Sequence, residues 1–265
     1  MSKNLSAWER VQMARRLNRT RAKEYIDALF TDFMELHGDR LYGDDPALLA
    51  GIGFYDDQPV TILAQCKGKT LEENVTRNFG MMNPEGYRKA LRLARQAEKF
   101  SRPIVTFVDT SGAYPGIGAE ERGQASAIAE CLEVFSGLET PVICFVIGEG
   151  GSGGALALSV ADKIYMLENA VYSVLSPEGF ASILWKDGSR VQEAAEVMEL
   201  TARDLYHKGV VDAVIDEPED GVEICPDFVY RQMRNLLSDD LKNLSKKRKS
   251  ELTAGRYQKF RKIGV

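Results

Sequence analysis

Residues 148–154 read Gly-Glu-Gly-Gly-Ser-Gly-Gly and lie between a continuous apolar run and a helical pattern. Backbone N–H groups at a helix start converge on an approaching anion, and glycines let that anion come close to the main chain. Gly148, Gly150 and Gly153 also fit GxGxxG, with Glu168 about where a ribose-binding acid is sought. Gly150, Ser152 and Gly154 fit GxSxG, the nucleophile elbow of hydrolases. The dinucleotide reading is weakened because the following helix is short and the next strand turns straight back through Glu168 and Asn169. The hydrolase reading requires an acid and then a histidine after Ser152, and only His207 lies downstream, in a segment of helical pattern. No GK[ST] follows, which excludes a P-loop. Two readings ask nothing of side chains: glycines that merely permit tight helix–strand packing, and backbone donors that form an oxyanion hole. Loss of one such donor typically costs roughly a hundredfold or more in rate. Residues 109–116, Asp-Thr-Ser-Gly-Ala-Tyr-Pro-Gly, hold the same place after another apolar run, so the two turns could cradle one oxyanion from two sides.

The elements that must position these turns follow from periodicity. Residues 103–109 and 141–147 are apolar runs of the kind that form buried strands. Each is followed by a glycine turn and a helical pattern, at 119–138 and 154–161, and another strand is expected at 163–167. Strand, glycine turn and helix repeated twice argue for an α/β fold with a mostly parallel sheet. Upstream, 84–100 predicts a helix with Tyr87, Leu91, Ala94, Ala97 and Phe100 on one face and Pro84 in its first turn. Residues 51–55 and 59–65 predict a hairpin across 56–58. Residues 8–36 place Val11, Ala14, Leu17, Ile26, Leu29, Phe30, Phe33 and Leu36 at helical spacing, predicting one or two amphipathic helices that end at 37–39. Downstream, a strand is expected at 170–175, a helix at 176–185 capped by Ser176, and a helix at 191–208. A strand at 210–215 and a last helix at 223–244 precede a basic tail. One domain is expected, divided into a helical arm (1–45), a core (46–218) and a C-terminal helix with basic tail (219–265).

Charge is unevenly spread. Of 34 Lys+Arg and 39 Asp+Glu in 265 residues, 7 and 1 fall in residues 1–23 and 9 and 1 in 242–262, leaving 18 and 37 between them. Basic ends can bind nucleic acid or an anionic membrane. Neither end brings a recognition motif, and the arginines of 1–23, set beside a helical apolar stripe, read better as a dock for a partner subunit. The longest apolar run, 141–147, is far short of the ~20 residues of a membrane span, and the N-terminus opens on charged residues, so the expected location is cytoplasmic. Cys66, Cys131, Cys144 and Cys225 are too scattered for a metal knuckle or disulfide framework and read as free, mostly buried thiols. His37 and His207 have no ligand cluster around them, so no metal site is expected.

The ordered series Gly38-Asp-Arg40, Asp44-Asp-Pro46, Arg77-Asn-Phe-Gly-Met81, Pro84-Glu-Gly-Tyr-Arg-Lys-Ala-Leu91, 109–116, Ala119-Glu-Glu-Arg-Gly-Gln124, 148–155, Tyr172-Ser-Val174, Ser176-Pro-Glu-Gly179 and Leu184-Trp-Lys186 resembles the α subunits of the bacterial acetyl-CoA carboxylase carboxyltransferase, over most of the chain. Ser111 stands where that family often has proline, and Met82-Asn83 replaces a proline-containing pair; neither change removes a glycine. The resemblance implies a crotonase-like βα spiral with N-terminal and C-terminal helices. It implies transfer of a carboxyl group from carboxybiotin, borne by a separate biotin carboxyl carrier protein, to acetyl-CoA, giving malonyl-CoA for fatty-acid synthesis.

By the same resemblance, Gly150, Gly151, Gly153 and Gly154 supply backbone donors for the biotin ureido oxygen, supported by Gly112, Ala113 and Gly116, and the biotin pocket includes Gly116, Ile117, Gly151 and Gly154. A homologous β subunit carrying a zinc ribbon would hold acetyl-CoA in an α2β2 heterotetramer, with biotin carboxylase as a further partner. Biotin itself is thought to take the methyl proton, which fits a chain with no convincing catalytic histidine. Asp109, Glu120, Glu121 and Arg122 read as supporting residues. Arg77, Arg88 and Lys89 are candidates for contacting CoA, although charges on a helix usually form a solvated face. The competing expectations are another crotonase-fold acyl-CoA enzyme, a Ser152 hydrolase, or a scaffolding subunit whose glycines only pack.

Overall fold

Apolar runs without polar alternation must be covered on both faces, and the chain achieves this with one sheet between helices. The computed structural model describes residues 5–264. Helices α1 (Ala7–Arg15) and α2 (Ala22–Leu29) lead to β1 (Thr31–Glu35), β2 (Leu48–Tyr55), β3 (Gln58–Gln65), α3 (Leu71–Thr76), α4 (Pro84–Lys99) and β4 (Ile104–Thr110). Then come α5 (Ile117–Glu121), α6 (Gln124–Gly137), β5 (Val142–Gly151), α7 (Ser152–Ser159), β6 (Lys163–Leu167) and β7 (Val171–Ser173). The remainder forms α8 (Pro177–Phe180), α9 (Val191–Val197), α10 (Ala202–His207), β8 (Ala213–Ile215), α11 (Pro226–Leu244) and α12 (Lys249–Arg261).

The sheet runs β1-β2-β3-β4-β5-β6-β8, with β7 also paired to β5. Pairing is antiparallel among β1, β2 and β3 and parallel from β3 onward. Every residue of β4 is buried, as a central parallel strand requires. Thr106 donates its hydroxyl to the Leu158 carbonyl of α7, so that helix covers one face. Phe107, its neighbour, points to the opposite face by the period of two, where it stacks on Tyr25 of α2 (centroids 6.0 Å) and on Phe145 (5.7 Å), which meets Tyr165 (5.5 Å). One aromatic row therefore crosses β4, β5 and β6 beneath α2.

Strand β5 changes neighbour along its length. Residues Ile143 to Val146 pair with β6, whereas Glu149, Gly150 and Gly151 pair with Val171, Tyr172 and Ser173 of β7. The register with β4 shifts between Val108 and Thr110, after which Thr110 faces Gly150. The first half of the glycine run is thus extended strand, and the turn itself is confined to Gly151 and Ser152, where α7 begins.

Several other expectations change. Residues 31–35 are a strand, not the end of a helix: Asp32 has φ 50°, and Met34 and Glu35 pair with Ile52 and Gly51, satisfying the outer edge of β2. Phe33 and Leu36 still pack against the core, which is why their spacing also fits a helical stripe. The segments at 119–138 and 191–208 are each two helices, the first broken at Gly123 in the left-handed region (φ 83°) and the second at Glu199 (φ 48°). The basic tail folds as α12, whose Arg256 is 1% exposed. Arg256 donates to the carbonyls of Phe135, Ser136 and Leu138 at the end of α6, to that of Thr140, and to Asp162 (2.8 Å). A cation placed on the orphan carbonyls of a helix C-terminus is favourable. Residues 246–248 between α11 and α12, and Lys249 at the start of α12, are exposed. Phe100, expected on the buried face of α4, is its exposed C-terminal cap, whereas Tyr87, Leu91, Ala94 and Ala97 are buried.

Candidate active site

The two glycine turns meet main chain to main chain. A β-carbon on Gly151 would lie 2.2 Å from the Ser111 carbonyl oxygen, and one on Gly154 would lie 2.6 Å from the Ala113 nitrogen. These contacts are possible only without side chains at either position. Gly148 is pressed against Asp109 and Gly150 against the Tyr172 ring in the same way, but a β-carbon on Gly153 would make only an ordinary 3.5 Å contact with Ile128. Packing therefore accounts for four of the five glycines and leaves Gly153 to be explained otherwise.

Gly153 and Gly154 lie in the first turn of α7, whose N–H groups have no intrahelical acceptor, and no side chain caps that end. Among the described residues neither N–H meets an acceptor elsewhere, and the Ala113 N–H of the first turn meets none either. Gly112 differs: its N–H is spent on Thr110 Oγ1 (3.1 Å), which in turn donates to the Gly112 carbonyl, fixing a glycine at φ 152°. Ala113, Gly153 and Gly154 are therefore unspent donors of the paired turns. Gly116 caps α5 and Ile117 projects from its start, 80% exposed.

Two buried glutamines hold this geometry. Gln65 donates Nε2 to the Gly154 carbonyl (2.7 Å), and Gln124 donates to the carbonyls of Met82 (2.8 Å) and Tyr114 (3.0 Å). At the root of both turns lies a buried charge cluster. Asp109 accepts from Arg21 (2.8 Å) and from the Glu149 N–H (3.1 Å) and lies 3.4 Å from Lys67; Glu149 is 2.5 Å from Lys67 and 2.6 Å from Arg15. Burial alone would raise both carboxyls, but Lys67 with Arg21 for Asp109, and Lys67 with Arg15 for Glu149, hold them below their usual range. Arg19, fully buried, donates to the Ile147 carbonyl (2.9 Å) and pairs in bidentate fashion with Glu217. Arg10 reaches the Glu168 carbonyl and Asn169.

Arg10, Arg15, Arg19 and Arg21 thus bond within the chain, where they neutralise the core's excess acid, while Arg16 stays exposed. Sequence patterns miss Arg21, Lys67 and Gln65 because each acts from a different element, far from the glycines in the chain, whereas Gln124 follows the first turn closely. The CoA candidates are all engaged within the chain. Lys89 is wholly buried, with Nζ bonded to Asp44 (2.6 Å), the Asp45 carbonyl and the Leu48 carbonyl (2.7 Å). Arg88 is committed to Asp39 (2.8 Å) and the Arg122 carbonyl, and Arg77 donates to the Pro46 carbonyl (2.8 Å). Arg122 pairs with Glu85 and lies over the Tyr42 ring, and Glu120 and Glu121 are exposed. Cys66, Cys131 and Cys144 are buried and Cys225 is exposed.

A cavity of about 350 Å³ opens beside Ser152 and Gly153, walled by Leu156, Tyr172, Val174 and Phe260 with no histidine or carboxylate in its lining. In such apolar surroundings a backbone donor acts more strongly on a developing negative charge than it does in water. Ser152 is exposed at φ 52°, and His207 lies in a different surface cavity with Arg203 and Asp216. Ser152 has no base within this site. Among the described residues no group of three or more His, Cys, Asp or Glu could hold a metal, and no helix is long and apolar enough to cross a membrane.

The family profile described as acetyl co-enzyme A carboxylase carboxyltransferase-like matches residues 1–264. The chain belongs to that family. A relative in Clostridium botulinum named acetyl-coenzyme A carboxylase carboxyl transferase subunit alpha is 57% identical over 260 residues, covering 98% of this chain and 95% of its own. A protein of the same name from Oceanobacillus iheyensis is 53% identical, covering 99% and 83%. Among solved structures, transcarboxylase 12S with methylmalonyl-coenzyme A superposes with a TM-score of 0.68 at 20% identity, covering 86% of this chain and 44% of that one. A chain of the Pseudomonas malonate decarboxylase hetero-tetramer in complex with coenzyme A gives 0.66 at 18% identity, covering 81% and 86%. These likenesses establish the crotonase-like α/β fold of the carboxyltransferase family.

Proposed function

We propose that this chain is the α half of an acetyl-CoA carboxylase carboxyltransferase, contributing the oxyanion site for carboxybiotin on a carrier protein. The observation that carries this reading is the pair of abutting glycine turns whose Ala113, Gly153 and Gly154 N–H groups are unspent, with Gly153 also lining an apolar cavity free of histidines and carboxylates. Those donors suit the ureido oxygen of biotin, which gains negative charge as the carboxyl group departs. In the overall step the N–C bond of carboxybiotin breaks, a C–C bond forms to the methyl carbon of acetyl-CoA, and the methyl proton passes to biotin, giving malonyl-CoA. A β subunit with a zinc ribbon would hold the acetyl-CoA enolate, and biotin carboxylase would recharge the carrier.

Membership of the family and the names of the relatives support this assignment; the fate of Arg88 and Lys89 supports placing the acyl-CoA on the partner. The test is to assay the chain alone and with its β subunit, using biotinylated carrier and acetyl-CoA. Malonyl-CoA is expected only from the pair. Robust formation by the α chain alone would overturn the shared site.

A further inference from the structure

We propose that the segment 10–21 is a positioning strap for the two glycine turns, and that Arg21 is its deciding residue. The inference rests on the functional reading above only in its kinetic arm. Lys67 lies between Asp109 (3.4 Å) and Glu149 (2.5 Å) at the roots of the two turns, and Arg21 ties that pair to the strap. Its Nη1 donates to Asp109 (2.8 Å), at the root of the first turn, and its Nη2 donates to the Arg16 carbonyl (2.6 Å), which fixes the guanidinium to the strap itself. The other carboxylate oxygen of Asp109 accepts the Glu149 N–H (3.1 Å), at the root of the second turn. Arg15 holds the Glu149 side chain (2.6 Å), and Arg19 holds the Ile147 carbonyl (2.9 Å), one residue before Gly148.

The grip is rigid because it is buried. Arg19, Arg21 and Asp109 are 1%, 4% and 1% exposed. Removing Arg21 leaves Asp109 with only part of its compensation, from Lys67 at 3.4 Å, which Glu149 also holds at 2.5 Å, so the buried carboxylates must rearrange around one shared lysine. Asp109 can then release the Glu149 N–H, and the second turn moves relative to the first. The turns cannot absorb that motion separately, since Gly151 lies against the Ser111 main chain and Gly154 against Ala113. Donors that must converge on one oxygen tolerate displacements of only about 0.5 Å. Arg21 is thus a positioning residue that acts through Asp109, without itself touching substrate.

The test uses the α chain assembled with its β subunit, as wild type, Arg21→Gln and Arg21→Lys, with Arg95→Gln as a surface-charge control because Arg95 pairs only with exposed Glu130. Arg21→Gln is expected to lower kcat about 10- to 100-fold while the KM for acetyl-CoA stays within about twofold, and Arg21→Lys to recover part of the loss. Amide exchange provides a readout independent of activity: segments 109–116 and 148–155 should exchange faster in Arg21→Gln, with β2, β3 and α4 unchanged. A kcat within about twofold of wild type, or faster exchange spread evenly over the sheet, would overturn the strap. If Arg21→Gln does not fold, Arg21→Lys carries both measurements, with kcat expected about threefold or more below wild type at constant KM. Inactive wild-type complex would sink the functional reading instead, and the exchange data would still decide the strap.

Discussion

Gly154 and Ala113 approach so closely that a β-carbon on the first would sit 2.6 Å from the backbone nitrogen of the second, while one on the neighbouring Gly153 would make only an ordinary 3.5 Å contact with Ile128. Gly154→Ala should therefore force the turns apart, costing about 1–3 kcal/mol by overpacking and most of the activity. Gly153→Ala should leave stability within about 0.5 kcal/mol, because alanine is at home in a first helical turn. Denaturant unfolding of both variants checks the contrast. Equal destabilisation would show that the two glycines serve packing alike.

Ser152→Ala separates backbone catalysis from a nucleophile. In the assembled enzyme the variant should keep activity within a few-fold, because no histidine or carboxylate shares the Ser152 cavity. A hydrolytic serine would lose roughly a thousandfold or more. Steady-state malonyl-CoA formation, alongside hydrolysis of acyl-CoA, reads both outcomes.

Two sets of carboxyls give stability opposite slopes with pH. Asp109 and Glu149 are held low, so their contribution is complete above the ordinary carboxylate range and disappears as pH falls below about 4. Asp45 is pushed up to about 6 by burial, against the N–H bonds it accepts from Ala47 and Asn83. Its contribution is complete below about 4 and is lost as pH rises through 6. Chemical denaturation from pH 4 to 7 should show wild type losing stability relative to Asp45→Asn as pH rises. Parallel curves would mean that Asp45 titrates normally.

Arg256 closes the end of α6 and pairs with Asp162, which also accepts the Val142 N–H at the start of β5. Arg256→Ala should cost about 3–5 kcal/mol, since it strands a buried carboxylate and several carbonyls. Lys246→Ala, on the exposed segment between α11 and α12, should change stability by less than about 0.5 kcal/mol. Thermal unfolding of the two variants side by side tests whether the basic tail is an anchor.

The repeated strand–turn–helix units are legible in the sequence because runs such as 103–109, bounded by proline and glycine, have few other readings. The glycine patterns locate the site but mislead about its form: Glu149 to Gly151 are extended because β7 pairs beside them, a contact no local window contains. Phe33 and Leu36 fit a helical stripe and a strand edge equally well, so only pairing with β2 decides. The charge cluster is illegible for a related reason. Nothing in the composition of residues 1–23 distinguishes an arginine that faces solvent from Arg19, whose carboxylate partner lies 198 residues away.

That separation also sets an order of events during synthesis. Arg19 cannot meet Glu217 until the chain has grown by nearly two hundred residues, a wait of about 10–40 s at the usual pace of translation. The turns that follow β4 and β5 are made long before the C-terminal part of their support exists. A nascent chain therefore cannot complete the seating of its first helices until residue 217 has been made.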